Sequence, residues 1–196
     1  MTTFYLVRHG QSLANAQHIL QGAMIDTPLS DNGKQQAQQT AAKLTKKGFE
    51  YVFSSPLQRA AQTAQIIAPT QSVTYDWRLR EFDYGQWDGQ KIAELWQKYP
   101  QFYDAQHNLL DGSQKYSHGE THTQAKQRLL AFFEEVTTQL PKNAQVLLVS
   151  HGYTIKLIVD LVLGINNLAA LNEPTNAGVT KINWSFQART LKYFNR

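Results

Sequence analysis

Two histidines in this sequence stand at the same kind of junction. Phe4-Tyr5-Leu6-Val7 runs into Arg8-His9-Gly10, and Val146-Leu147-Leu148-Val149 runs into Ser150-His151-Gly152. Short runs of bulky, partly β-branched residues read as buried strands. Ligands of open α/β sheets bind beyond the carboxyl ends of the strands, so Arg8, His9 and His151 fall where a substrate would lie. The glycine after each histidine permits a tight turn and close approach of a ligand to the backbone. A third junction joins Tyr51-Val52-Phe53 to Ser54-Ser55-Pro56-Leu57-Gln58-Arg59. Ser55 fits a helix N-cap and Pro56 the first helical position, which puts Arg59 in a first turn whose free amides and dipole favour anions. Two histidines and two arginines converging on one sheet edge suit a doubly negative group such as a phosphate. Taken singly, each also fits a plainer role: a strand-end histidine tied to a carbonyl, Arg8 in a surface ion pair, Arg59 on an exposed helix face.

Several other chemistries are absent from the sequence. It contains no G-x-x-x-x-G-K-[ST] or G-x-G-x-x-G loop, no H-E-x-x-H, and no paired-aspartate cluster for catalytic metals. Phosphate chemistry here would draw its charge stabilisation from arginine, imidazole and helix amides. No metal and no cofactor is expected. Cysteine is absent, which excludes disulfides and thiolate catalysis. The formal charge of +4 arises from scattered lysines, the densest group being Lys43, Lys46 and Lys47 on the polar side of one helix, so no nucleic-acid partner is expected. No apolar run approaches the length that crosses a bilayer, so no membrane partner is expected either. The chain enters its first strand at once, with no room for a signal peptide, and the cytoplasm is the expected compartment.

The remaining elements must bring these residues together. Ser30 fits an N-cap for a helix to about Lys47, with Ala37, Ala41 and Leu44 on one face and Gly48 ending it. The next helix turns Leu57, Ala60, Ala61, Ala64 and Ile67 inward, and Val73-Thr74-Tyr75 is a weaker strand. Residues 82–119, rich in aromatic residues and then poorly periodic, read as an insertion covering the site, although their aromatics also suit a satellite core. Tyr84, Trp87, Lys91, His107, Lys115 and His118 are the groups this segment offers a substrate. Thr121-His122-Thr123-Gln124 matches a capping box opening a helix that buries Ala125, Leu129, Phe132, Phe133 and Val136. A nearly all-apolar helix, Ile155 to Leu163, follows His151. Thr180, Ile182, Trp184 and Phe186 alternate with polar residues as in a half-exposed strand, and residues 190–194 suit a hairpin partner closing the edge. The reading is a single α/β domain over 1–196: a three-layer sandwich with a mostly parallel central sheet flanked by helices.

Further motifs thread between these elements. They include Ser12, Asn15, Gln21-Gly22, Asp26-x-Pro28-Leu29-Ser30-x-x-Gly33, Ser54-Ser55-Pro56-Leu57-x-Arg59-Ala60-x-x-Thr63-Ala64, Leu79-Arg80-Glu81-Phe82-x-x-Gly85-x-Trp87-x-Gly89 and Gly119-Glu120. With Arg8-His9-Gly10 and Val149-Ser150-His151-Gly152, they resemble the histidine phosphatase superfamily, the phosphoglycerate-mutase-like enzymes, in its short bacterial phosphatase-type branch. That resemblance implies a phosphoglycerate-mutase-like fold and a metal-independent phosphatase acting on a small phosphorylated metabolite through a phosphohistidine at His9. It implies that Arg8, Arg59 and His151 bind the phosphate oxygens, and that Glu81 protonates the leaving oxygen and then activates water. It implies substrate contacts by Asn15, Gln21, Gly22 and Gly152. Read from the residues alone, Glu81 equally fits an ion pair with Arg78 or Arg80. Gln11 stands where the family commonly has Glu, a change expected to alter local charge without abolishing the chemistry.

An alternative of the same family is phosphoglycerate-mutase-type transfer with the same residues. The mutases resemble this chain but have a longer segment between the counterparts of Glu81 and His151, and usually a tryptophan where this chain has Ala14. A third reading is a non-catalytic protein that binds a phosphorylated ligand. A neutral His9 and a protonated Glu81 together imply a mildly acidic to neutral optimum.

Overall fold

The computed structural model describes residues 1–196. Six strands form one sheet in the order β3-β2-β4-β1-β5-β6, with β1 Thr2–Arg8, β2 Tyr51–Ser54, β3 Val73–Tyr75, β4 Gln145–Ser150, β5 Val179–Trp184 and β6 Arg189–Tyr193. The pairs β3-β2, β2-β4 and β4-β1 are parallel, and the C-terminal hairpin β5-β6 adds on antiparallel to β1. The sheet is therefore mostly parallel, as the apolar runs of β1 and β4 require of strands covered on both faces.

Alternation along these strands builds the layers. Phe4, Leu6, Val146 and Leu148 face one core with Ala125, Leu129, Phe132 and Phe133 of helix α6 (His122–Gln139) and Ile155, Leu157 and Ile158 of α7 (Gly152–Leu163). Tyr5, Val7, Leu147 and Val149 face the other, against Leu44 of α2 (Asp31–Leu44) and Ala60 and Ala64 of α3 (Gln58–Ile67). The shorter helices α1 (Leu13–Ala16), α4 (Ile92–Lys98) and α5 (Gln114–Ser117) lie in the connections. The capping box at Thr121 and the left-handed turn at Gly48 form as their sequences demand.

Three local expectations change. Ser55 and Pro56 do not cap α3; the helix starts two residues later, after Leu57, and its first amide, Gln58 N–H, donates to Asp26 Oδ1 at 2.7 Å. A carboxylate from a distant loop thus takes the capping role. The first part of 82–119 is no satellite: Phe82, Tyr84, Trp87 and Leu95 belong to the main core, where Trp87 stacks on Tyr99. Phe186 lies beyond the end of β5 and is 95% exposed.

Candidate active site

Register creates the site. In the parallel pair β1-β4, Arg8 stands opposite Ser150, so the next residue of each strand, His9 and His151, emerges at one level. His9 N–H donates to Ser150 O at 2.9 Å, and the two imidazoles meet edge to face with centroids 5.1 Å apart. On the other side of β4, Ser55 N–H bonds Val149 O, which brings the Ser55 hydroxyl to 2.8 Å from His151 Nε2. The loop after β1 is held close to α2 by Gly10 and Gly33. A Cβ on Gly10 would collide with the Gly33 carbonyl, and one on Gly33 with the Gln11 carbonyl.

His9 is held in one tautomer. Its Nδ1 lies 2.7 Å from Gly10 O, an acceptor, so Nδ1 carries the proton. The ring's lone pair is then on Nε2, where it accepts from Arg59 Nε at 3.3 Å, and Nε2 is the only ring atom able to attack. Burial, reinforced by the charges of Arg59 and Arg8, keeps His9 well below the ordinary histidine pKa, so the ring is neutral at pH 7.

Arg59 is fully buried and uses three of a guanidinium's five N–H donors within the protein. Besides Nε on His9, Nη1 donates to Ile25 O at 3.0 Å and Nη2 to Gly22 O at 2.9 Å. Burial lowers its pKa to about 10, opposed by the carboxylates of Glu81, Asp26 and Asp88, and it remains a cation at neutral pH. The same 22–25 loop is tied from outside by Asp88, whose carboxylate accepts from the amides of Gly22, Met24 and Ile25.

Two side-chain nitrogens in this pocket are buried without any partner: Arg8 Nε and His151 Nδ1, the latter a donor because Ser55 Oγ, which accepts from Leu57 N, gives its own proton to His151 Nε2. An orphaned buried polar atom is costly, and two beside a buried histidine mark where an acceptor-rich ligand belongs. Arg8 Nη1 meets Pro174 O at 2.6 Å and Glu173 Oε2 at 3.3 Å, so its head is fixed while Nε stays free. His151 is likewise held well below the usual histidine range, by burial first and then by Arg59 and His9. Gly152 opens α7 beside them, and a Cβ there would run into the Arg8 guanidinium and the Glu173 carboxylate.

Glu81 makes no ion pair with Arg78 or Arg80. Arg78 pairs with Asp76 and Glu135, and Arg80 with Glu120. Glu81 is instead buried on the N-terminus of α7: Oε1 accepts from Thr154 N and Oγ1 at 2.9 and 3.0 Å and from Phe82 N at 2.8 Å, and Oε2 from Tyr153 N at 3.2 Å. Burial, followed by repulsion from Glu173, raises its pKa above the ordinary glutamate value. Glu120 and Arg128 brace the segment from behind, with Glu120 Oε1 accepting from Asp83 N and Arg128 bonding Glu120 and the Arg78 carbonyl.

The other residues singled out from the sequence are placed less directly. Asn15 Oδ1 caps α1 through Ser12 N and is 3.5 Å from Asn176 Nδ2, whose amide also donates to His9 O. Gln21 uses both ends of its side chain in its own loop, on Ser12, Ile25 and Thr27. Gly22 N–H is taken by Asp88 and its carbonyl by Arg59. Gln11 turns away from His9: Oε1 accepts from Ser30 Oγ at 2.9 Å and Asn32 Nδ2 at 3.3 Å at the start of α2. The missing glutamate charge is therefore not a charge withheld from the pocket. Sequence reading passed over Asp26, Asp88, Ser55 as the partner of His151, and Glu173. Asp26 and Asp88 stood inside motifs already noticed, whereas nothing local marked Glu173.

This arrangement defines a class: a neutral buried imidazole with its lone pair toward a guanidinium, a buried carboxyl that feels the charges of the same two arginines, and unpartnered nitrogens suited to a tetrahedral anion. Residues 4–196 match the histidine phosphatase superfamily (branch 1), and the chain belongs to that superfamily. Over 169 residues it is 34% identical to a Salmonella typhi protein named probable phosphoglycerate mutase GpmB, covering 84% of this chain and 76% of that one. A mycobacterial glucosyl-3-phosphoglycerate phosphatase superposes with a TM-score of 0.85 at 27% identity over 98% of each chain. A phosphoserine phosphatase variant from Entamoeba histolytica, solved in complex with phosphoserine, gives 0.81 at 29% identity over 100% of this chain and 97% of that one. The protein is thus an enzyme of the histidine phosphatase family. No helix is long and apolar enough to cross a membrane.

Proposed function

We propose that this protein hydrolyses a small phosphomonoester through a phosphohistidine on His9 Nε2. The carrying observation is the fixed tautomer of His9, its Nε2 lone pair set beside Arg59 and beside two buried donors that have no protein partner. Phosphate oxygens take Arg8 Nε, His151 Nδ1 and the two remaining Arg59 donors. The Nε2 lone pair forms the N–P bond as the ester P–O pair passes to the leaving oxygen, which takes its proton from Glu81. Water then attacks phosphorus, gives its proton to the Glu81 carboxylate, and inorganic phosphate leaves with His9 neutral again.

The raised pKa of Glu81 suits the acid role, and the depressed pKa of His9 keeps the nucleophile unprotonated. The phosphatases that superpose over nearly the whole chain support hydrolysis. The named relative supports a second reading, transfer back to another hydroxyl of phosphoglycerate, by the same residues. Ala14, where the mutases usually have a tryptophan, is a small buried residue here, and this difference favours hydrolysis. A small phosphorylated metabolite as substrate goes with a cytoplasmic enzyme. Phosphate release from p-nitrophenyl phosphate in excess EDTA tests the reading: it should persist in the wild type and be lost in His9→Ala. Isomerisation of phosphoglycerate without phosphate release would reverse the ranking.

A further inference from the structure

Tyr153 Oη stands between two acceptors and has one proton to give. His122 Nε2 lies 2.9 Å away and the Leu109 carbonyl 3.5 Å. Burial raises the pKa of the phenol, so the proton stays on it. His122 Nδ1 lies 3.6 Å from the Asp111 carboxylate, which can only accept. The neutral ring therefore carries its proton on Nδ1 and its lone pair on Nε2, and the phenol donates to His122. Leu109 O is left with the longer contact.

These residues join three parts of the chain. His122 opens α6, Tyr153 lies in the first turn of α7, and Leu109 and Asp111 belong to the segment between α4 and α5. In that segment Asp104 N–H donates to Asn108 O at 3.0 Å and Leu110 N–H to Phe102 O at 2.8 Å, which closes a short hairpin. Tyr103, Asn108 and Leu109 of the hairpin, together with Tyr84 and Tyr153, wall a cavity of about 170 Å³ that reaches the phosphate pocket at Glu173, the partner of Arg8. Tyr153 itself is held without the hairpin, its amide on Glu81 Oε2 and its ring against Phe82. The polar contacts that tie the hairpin side to α6 and α7 are the Leu109 carbonyl and the Asp111 carboxylate, and both answer to the charge of His122.

Charging the ring changes both contacts. The Nε2–H of an imidazolium must donate to the phenol oxygen, so the phenol proton turns to Leu109 O. At the same time Nδ1–H gains a full charge opposite Asp111. The charged and titratable groups facing the ring are Asp111 from the hairpin side, Lys126 from α6, and Tyr153, Lys156 and Asp160 from α7. Lys126 and Asp160 pair with each other at 2.7 Å. Burial lowers the pKa of His122, opposed by Asp111 and Asp160 and aided by Lys126 and Lys156. Its place in the first turn of α6 disfavours a cation further. The ring is thus neutral at pH 7 and takes its proton on the acid side. Its side chain is 15% exposed, enough to exchange that proton with solvent.

We propose that His122 is a pH-responsive positioning residue whose protonation fastens the 102–111 stretch onto α6 and α7, closing the wall of the cavity. The device holds whatever reaction the neighbouring pocket performs. The test is hydrogen exchange of the Asp104 and Leu110 amides by NMR, corrected for the intrinsic rate, alongside titration of the His122 ring protons. Protection should rise about fivefold as pH is lowered through the titration of His122, the factor one ordinary hydrogen bond commands. In His122→Gln, which can accept from Tyr153 but takes no charge, protection should stay flat with pH. Wild-type protection that is flat or falls toward acid overturns the assignment without any variant. So does a rise that survives in His122→Gln, which would belong to His107, the hairpin histidine stacked on Trp96.

Discussion

Arg59 Nε donates to His9 Nε2 at 3.3 Å, so the guanidinium proposed to hold the phosphate rests on the atom proposed to attack it. In the proposed mechanism this contact keeps Nε2 unprotonated and aimed, while the two donors that Arg59 has left are free for phosphate oxygens. Arg59 is also the tie that closes the 22–25 loop over the site. Lysine has one compact head and cannot serve three directions. Arg59→Lys should lower kcat by about 10²–10³, the scale of losing one preorganised donor. It should also lower the melting temperature, since two loop carbonyls lose their partner. Steady-state kinetics and a thermal melt read both.

Glu81 is judged by leaving group. Proton donation matters for an alkyl alcohol and hardly at all for p-nitrophenolate. Glu81→Gln should therefore lower kcat/KM for an alkyl phosphate by about 10²–10⁴, the usual worth of a general acid, and for p-nitrophenyl phosphate by far less. Equal losses on both esters would assign Glu81 to holding the α7 terminus only.

The pH profile follows from two directions of shift. His9, depressed below the ordinary histidine value, stays an unprotonated nucleophile well into acid. Glu81, raised above the ordinary glutamate value, keeps its proton to higher pH and loses it as pH climbs through that raised pKa. kcat/KM for an alkyl phosphate should peak on the acid side of neutrality and fall toward alkaline pH. Glu173 raises Glu81 by repulsion, so Glu173→Gln should move the alkaline limb to lower pH. A rate still rising above pH 9 would remove Glu81 from the acid role.

The linkage to stability carries the opposite signs for these groups. His9 and His151, with depressed folded pKa values, take up protons on unfolding once pH falls below the unfolded value of ~6.5. Their contribution is present above that pH and is lost as pH falls toward the folded values. Glu81 contributes stability below its unfolded value of ~4.3, lost as pH rises through the folded one.

Much of this was legible in the chain. The apolar runs of β1 and β4 and the glycines after His9 and His151 announce two strand ends, and parallel pairing makes them adjacent. Thr121-x-x-Gln124 announces a helix start because the box is local. The cap of α3 was misread because Asp26, 32 residues from Gln58, supplies it, and no local pattern reveals a distant carboxylate. Glu81 was ambiguous for the same reason: Arg78 and Arg80 lie beside it in sequence, but their partners come from elsewhere. Lys156 stands in a largely apolar helix, and only the fold shows that it lines a cavity.

Gly33 gives a test of the scaffold apart from the chemistry. Its Cα packs against the Gln11 backbone, where a methyl group has no space and no flexible neighbour can yield. Gly33→Ala should cost about 1–3 kcal/mol by overpacking. For a chain of this size that lowers the melting temperature by about 2–12 °C.

The most direct measurement is acid-quench avoidance and base quench of a single turnover with ³²P-labelled phosphomonoester, followed by peptide mapping. A base-stable, acid-labile label on the peptide holding His9, absent in His9→Ala, is the predicted result. Turnover without such a label, or a label that persists in His9→Ala, would contradict nucleophilic catalysis by His9.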